Sequence, residues 1–498
     1  MPADQPTLSV DALRDHLTTT VFQTPPDSGD RFGLELELIP LRWSDPPAAA
    51  DDDARPRHVP LHGGRGGGTP GLLEIVSTFA RRRGLKVKSP EGHLTGACPP
   101  PLDGDFTFEP GGQPEFSGAP RSTPAAAYHE AANICDDLTE HARRHDIELL
   151  TIGFNPWLDT DEIGLNTDAP RYVCMDAVYE SIGPYGRRKM RQSATIHVNL
   201  DFGGPERWMR RWRAAQLLAP LALATFAYSP VAGGVPTGHR SHRGFVWTRV
   251  DPSRCGFPRR FLSEPLGSPV DQYLAFALDA RVLMLPAGNG WEAQTRPLTF
   301  RDWLAGRHDG RPPTIDDWAN HLTTLFPEVR PRGFLELRSA DSQARAFWSV
   351  PLSWWTALLC DDTALEETLA ILDGDAAGLE TRYLAAAEHA LDDPAIARRA
   401  VALYESAGRA LARFPCGTFS EEMLRAFAVY GERFTLAHRT PADELLEVLA
   451  TDPPLRDALA GLNAAWCRAV GSDACTTWAP TAAATPAHER PSSTGETS

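Results

Sequence analysis

The stretch Arg31 to Leu41, RFGLELELIPL, alternates apolar and charged residues with period two. That pattern dictates a β-strand with one apolar and one polar face, on which residues i and i+2 emerge side by side. Glu35 and Glu37 therefore project together, close enough to share a divalent cation through their oxygens. The alternation recurs at Ser193 to Asp201 (SATIHVNLD), carrying His197 and Asn199, and at Gly333 to Arg338 (GFLELR), which sets Glu336 beside Arg338. Phe106 to Phe116 reads as a strand pair around Pro110, Gly111 and Gly112, with Glu109 and Glu115 bracketing the turn. An E-x-E alone serves equally well as a solvated strand face. If these strands share one sheet, however, four or five carboxylates converge on one cavity, and burying them together requires cations. Arg243 and Arg254, in HRGFVWTRVDPSRCG, add guanidinium forks suited to a carboxylate or phosphate.

Helices are expected elsewhere. Ser9 caps one running to about Val21, Leu72 to Arg83 has helical periodicity with Glu74 on its solvent side, and Ala125 to Arg144 reads as another. Ile147 to Phe154 reads as a further strand. Helical patterns dominate from Ser349 to about Trp466, and Ser44 to Pro70 is a loop rich in Pro, Asp and Gly. The organisation expected is an N-terminal helix region over 1–30, a catalytic domain over 31–477 that is helix-rich from about 349, and a disordered tail over 478–498. The uncharged stretch Ala214 to Pro236 contains Pro220 and Pro230 and is read as a buried helix, since a membrane span needs about 20 continuous apolar residues.

Charge excludes some partners. The 498 residues hold 49 Lys+Arg against 65 Asp+Glu, a formal charge of −16, which argues against nucleic acid and anionic membranes. That total conceals a basic segment: Ser181 to Arg260 has 14 Lys+Arg against three acids, +11, leaving −27 for the rest. An acidic chain can thus still present a basic surface to anionic substrates. Only Lys86, Lys88 and Lys189 are lysines, and no Gly-Lys pair exists, so a P-loop is excluded. Eight cysteines without a C-x-x-C pair, and an N-terminus without a basic and then apolar leader, read as mostly reduced thiols in a cytoplasmic protein.

Together these residues carry a family likeness. Gly33 to Glu37 (GLELE), Phe108 to Pro120 (FEPGGQPEFSGAP), Thr195 to Asp201 (TIHVNLD), Asn320 to Arg330 (NHLTTLFPEVR) and Leu335 to Asp341 (LELRSAD) resemble the signatures of glutamate-cysteine ligases. The likeness is to the branch holding the plant enzymes and the actinobacterial ergothioneine-pathway enzymes, and it runs in order from about Arg31 to Trp466. It implies an α+β fold similar to glutamine synthetase: a curved, mainly antiparallel β-sheet funnel with helices packed outside. It also implies a reaction in which ATP phosphorylates the γ-carboxylate of glutamate and the amine of cysteine displaces phosphate. The products are γ-glutamylcysteine, ADP and phosphate, at the head of glutathione or ergothioneine synthesis. Phosphoryl transfer chiefly requires positioning and charge neutralisation, so carboxylate-held Mg²⁺, or Mn²⁺, with arginines can serve without a P-loop.

By the same resemblance Glu35, Glu37, Glu109, Glu115 and Glu336 are the metal ligands. His197 touches a metal-bound phosphate or the nucleotide, and Arg338 steadies the transferred phosphoryl group. Arg243 grips the glutamate α-carboxylate with Arg254 nearby. Plant relatives read R-T-C-T-V-Q where this chain has Gln192 to His197, so an arginine is replaced by Gln192, and Arg191 adjoins it as a candidate substitute. That departure motivates an alternative, a carboxylate-amine ligase of the same fold with another acceptor. A carboxylate-pair hydrolase leaves the EPGGQ turn and the arginines unexplained, and a non-catalytic sensor has no need of all five carboxylates. The partners expected are glutamate, cysteine and ATP; the sequence sets no oligomeric state.

Overall fold

The computed structural model of the chain describes residues 8–23, 29–43, 55–63, 69–90, 94–95, 104–204, 207–288, 290–308 and 310–472. Its centre is an eight-stranded sheet formed by β1 (Phe32–Glu37), β2 (Lys86–Lys88), β3 (Leu94–Thr95), β4 (Gly104–Phe108), β5 (Pro114–Gly118), β6 (Ile196–Leu200), β7 (Val329–Pro331) and β8 (Leu335–Leu337). The strand order is β7-β8-β6-β1-β5-β4-β2-β3. All neighbours run antiparallel except β2 and β4. The expected class, α+β with a mainly antiparallel sheet and helices outside, is the one observed.

Register sorts the two faces of the sheet. Leu34 pairs with Val198, Leu36 with Ile196 and Phe116, and Phe106 with Phe116, so the apolar residues share one side. Helices Pro124–Arg143 and Ser349–Cys360 pack against the central strands and close the main core. The opposite side receives Glu35 opposite His197, Glu37 opposite Glu115, and Glu336 opposite Asn199. Every residue of β1 is buried, because helices cover one face and the walls of a cavity cover the other.

Helix starts follow local chemistry. Ser9 caps Val10–His16 through the Ala12 N–H, and Thr123 caps Pro124–Arg143 through that of Ala126. Glu74 is exposed, as expected, and also accepts from the Gly71 N–H at 2.7 Å, closing the first turn of Leu72–Arg83. The stretch Arg31 to Leu41 divides at Leu38: β1 enters the large sheet, while Ile39–Arg42 joins a separate sheet with Arg57–His58 and Ile147–Leu150. The stretch Ala214 to Pro236 is a buried helix only as far as Thr225, the end of Trp208–Thr225 with Pro220 inside it; beyond it Val231–Ala232 and Val235–Pro236 form a short antiparallel hairpin, with Pro230 preceding it and Val235 exposed. Among the described residues no helix is long and apolar enough to cross a membrane. The expected tail falls outside the described residues, as does most of the 44–70 loop. Cys135, Cys174, Cys255, Cys360 and Cys416 carry free thiols.

Candidate active site

On the polar face of the sheet, β1, the β4–β5 hairpin, β6 and β8 line a cavity of about 200 Å³. Glu35, Glu37, Glu109, Glu115, His197, Arg243, Glu336 and Arg338 all reach it, so the structure gathers eight of the nine residues singled out in the sequence. Arg254 is the exception. It is fully buried behind the wall, bound to Asp251 at 3.0 Å, to the Thr324 carbonyl at 2.8 Å and to the Arg281 carbonyl. Its donors stabilise that packing and face no ligand.

The carboxylate end is built on facing strands. Glu35 Oε2 lies 2.9 Å from His197 Nδ1, and Asn199 Nδ2 donates to Glu35 Oε1 at 2.8 Å. Because a carboxylate only accepts, Nδ1 carries the proton and Nε2 keeps its lone pair. Nε2 is buried without a hydrogen-bond partner, 4.0 Å from Glu37 Oε1. Ligand atoms of Glu35, Glu115 and His197 lie within 4.8 Å of one another, and so do those of Glu37, Glu109 and Glu115. Glu115 belongs to both groups. Two oxygen-rich clusters sharing a carboxylate, with an orphaned imidazole nitrogen beside them, fit hard divalent cations.

Titration reflects this crowding. Burial, with the charges of Glu109 and Glu115, pushes Glu37 well above the usual carboxylate range. Burial and the charges of Glu35 and Glu109 raise Glu115 to about 8. For Glu35 burial also acts upward, but the bonds from His197 and Asn199 outweigh it and the net shift is downward. His197 is lowered by burial and by Arg338, so it stays neutral and able to ligate.

The cationic end differs from the expectation for Glu336. That carboxylate accepts from Arg330 Nη2 at 2.8 Å, Arg332 Nη1 at 3.0 Å and Arg338 Nη1 at 3.1 Å, and it lies in neither oxygen cluster. Burial opposes its ionisation, yet Arg330 and Arg338 hold it well below the usual range. Here it gathers three guanidinium groups. Arg243 is also engaged: it donates to Thr195 Oγ1 at 3.1 Å, to the Arg338 carbonyl, and at 3.4 Å to both Asp341 Oδ1 and the Ser339 carbonyl. Asp341 in turn accepts from the Tyr228 N–H, Ser229 Oγ and Ser241 Oγ, at 2.7 to 2.9 Å.

The EPGGQ turn is held by close backbone contact. A Cβ on Gly111 would lie 2.5 Å from the Arg191 carbonyl oxygen, and Gly112 has φ +87°. Gln113 Nε2 donates to the Ser193 carbonyl at 2.9 Å, tying the hairpin to the strand that carries His197. Arg191 does not replace the arginine exchanged for Gln192. It binds Asp176 and the Thr160 carbonyl, while Gln192 donates to the Leu158 carbonyl at 2.8 Å, and neither lines the cavity.

Lys189, Trp247 and Arg330 are among the lining residues that the sequence did not single out. The Trp247 ring centroid lies 5.0 Å from Lys189 Nζ and 5.6 Å from the Cζ atoms of both Arg243 and Arg338. Burial lowers Lys189 to about 8, against the charge of Glu109 and with Arg338 acting in the same direction as burial. Arg330 stands at the end of the quoted NHLTTLFPEVR stretch, and the structure pairs it with Glu336 across β7 and β8.

Comparison with known proteins agrees with this geometry. A sequence model of the family described as glutamate-cysteine ligase family 2 matches residues 78–465. The chain is 36% identical to the chloroplastic glutamate–cysteine ligase of Medicago truncatula over 268 residues, 53% of this chain and 52% of that protein. It is 36% identical to the chloroplastic enzyme of Arabidopsis thaliana over 272 residues, 54% of this chain and 51% of the other. The matched stretch thus spans about half the length of these relatives. A crystal structure of a glutamate–cysteine ligase from Francisella tularensis in complex with AMP aligns over 90% of both chains, with TM-score 0.49 and 14% identity. So loose a likeness adds no weight.

Proposed function

The chain belongs to the glutamate-cysteine ligase family 2, and from that membership we propose that it joins the γ-carboxylate of glutamate to the amine of cysteine with hydrolysis of ATP to ADP and phosphate. The observation that carries this reading is the convergence of Glu35, Glu37, Glu109, Glu115 and His197 opposite Arg243, Arg330 and Arg338 in one cavity. Four acids and an open imidazole nitrogen fit Mg²⁺ or Mn²⁺, and Glu35, Glu37, Glu109, Glu115 and His197 would hold it. When bound, such a cation would supply charge neutralisation for the ATP phosphates.

The protein's own groups account for the rest. A glutamate γ-carboxylate oxygen attacks the terminal phosphorus, the bond to the β-phosphate oxygen breaks, and ADP leaves. The cysteine amine then attacks the acyl carbon, loses a proton, and phosphate departs with the former carboxylate oxygen. Arg338 and Arg330, held in place by Glu336, face the charge that develops on the transferred group. Arg338 Nε is buried without a partner, leaving a donor for that charge. Glu336 is thereby assigned to positioning arginines in preference to ligating metal. Arg243, fixed by Asp341, lends positive charge to the substrate carboxylate.

Purified full-length chain with glutamate, cysteine and MgATP should release ADP and yield γ-glutamylcysteine by mass. ADP release accompanied by a product lacking cysteine would favour the ligase with another acceptor, and no ADP above background would contradict both.

A further inference from the structure

The positive groups of the cavity are nearly all spent on the protein itself. Arg330, Arg332 and Arg338 bind Glu336, Arg243 binds Asp341 and Thr195, and Arg171 donates to the Thr323 carbonyl. Lys189 differs. Its side chain is 6% exposed and lines the cavity, yet among the described residues its Nζ has no hydrogen-bonding or ion-pairing partner. It rests 3.6 Å from the Phe326 ring centroid and 5.0 Å from that of Trp247. Glu109 and Glu37 act on it only at long range, without an ion pair, so desolvating the ammonium is costly and cation–π contacts offset that only in part. No neighbour in the helix Tyr185–Gln192 explains the arrangement, since Arg187 and Arg191 turn away to Asp176.

We propose that Lys189 binds the α-carboxylate of an amino-acid substrate, at an apolar corner of the cavity formed by Met175, Met190, Trp247 and Phe326. This rests on the ligase reading above. The corner belongs to a small hydrophobic cluster separate from the main core. An apolar wall with one point charge suits the methylene and carboxylate of an amino acid. A triphosphate needs the opposite, several donors and metal-bound charge, which the carboxylate end is equipped to attract. Glutamate and cysteine each bring an α-carboxylate, so the chemistry is shared and experiment must separate them.

Steady-state kinetics of the full chain can do so, comparing wild type with K189M and K189R. Alongside glutamate and cysteine, the substrates include cysteamine, which is cysteine without its carboxylate, and 4-aminobutyrate, which is glutamate without its α-carboxylate. K189M should raise KM for one amino acid about tenfold or more with a smaller change in kcat, and K189R should restore much of the loss. Wild type should prefer that amino acid over its decarboxylated analogue, and K189M should lose the preference. Collapse in the cysteine pair assigns Lys189 to the acceptor, and collapse in the glutamate pair assigns it to the donor. Unchanged KM for both amino acids, or a rise for ATP alone, would overturn the proposal. If K189M does not fold by thermal melting, K189Q carries the same comparison. Wild type releasing no ADP at all would instead sink the ligase reading itself.

Discussion

Glu35 and His197 stand directly opposite each other on adjacent antiparallel strands, with Glu35 Oε2 2.9 Å from His197 Nδ1. That one contact fixes the imidazole tautomer and turns the Nε2 lone pair towards Glu37. Glu35→Gln leaves the fold but weakens both the ligand set and the orientation of the ring. Affinity for Mn²⁺, measured by isothermal titration calorimetry, should fall roughly 10- to 100-fold, and turnover should fall with it.

The raised carboxyls set a pH dependence for the metal-free protein. Glu115 titrates at about 8 and Glu37 well above its ordinary value, so between the ordinary carboxylate range and about 8 the folded state holds protons that the unfolded state has released. The contribution of these two carboxyls to stability therefore falls as pH rises through that window, and above about pH 7, where the histidines no longer titrate, it sets the slope. Melting temperatures taken from pH 7 to pH 8 without metal, above the range in which buried neutral histidines such as His197, His242 and His321 act in the opposite sense, should decline, and saturating Mg²⁺ should flatten the curve. Adding Mg²⁺ in weak buffer near neutral pH should release protons. A metal-free melting temperature that climbs from pH 7 to pH 8 would contradict the assignment.

Glu115→Gln separates stability from function by sign. It removes a buried carboxyl that must hold a proton in the folded state near neutral pH, so the metal-free protein should melt at a higher temperature there, while Mn²⁺ affinity and turnover both drop. A substitution that merely damaged the fold would lower all three.

How much of this was readable depends on where each signal sits. Glu35, Glu37 and His197 lie on strands whose period-two pattern fixes their face, and the antiparallel register then brings them together. Glu109 and Glu115 flank a turn that glycine chemistry marks. Lys189 was not legible, because its direction depends on how the helix Tyr185–Gln192 packs, and a lone lysine among arginines carries no periodicity. Arg254 was misplaced for a similar reason: proximity to Arg243 in sequence says nothing of the turn at Asp251, which binds its guanidinium inward. The division of the first strand at Leu38 did leave a mark, since apolar residues stand at 34, 36 and 38 and then at 39 and 41, a change of phase beside Pro40 that a reading of one continuous strand passes over.

Gly111 carries no side chain yet governs the site. An added Cβ meets the Arg191 backbone and Gln113 Oε1, both at 2.5 Å. Gly111→Ala should shift the turn bearing Glu109 and Glu115, costing about 1–3 kcal/mol by urea unfolding and lowering turnover more than the stability loss explains.

Asp341 is fully buried and is the carboxylate that faces Arg243. Asp341→Asn leaves the guanidinium without that counter-charge, so urea unfolding should show a loss of roughly 3–5 kcal/mol. KM for glutamate should rise, because Arg243 loses its fixed orientation.

On the proposed function, ATP activates the glutamate γ-carboxylate in this cavity before the amine attacks. Glutamate labelled with ¹⁸O in the γ-carboxylate, incubated with cysteine, MgATP and the full chain, tests this directly. Mass analysis of the inorganic phosphate should find one ¹⁸O atom transferred for each γ-glutamylcysteine formed. Phosphate released without the label would contradict the mechanism.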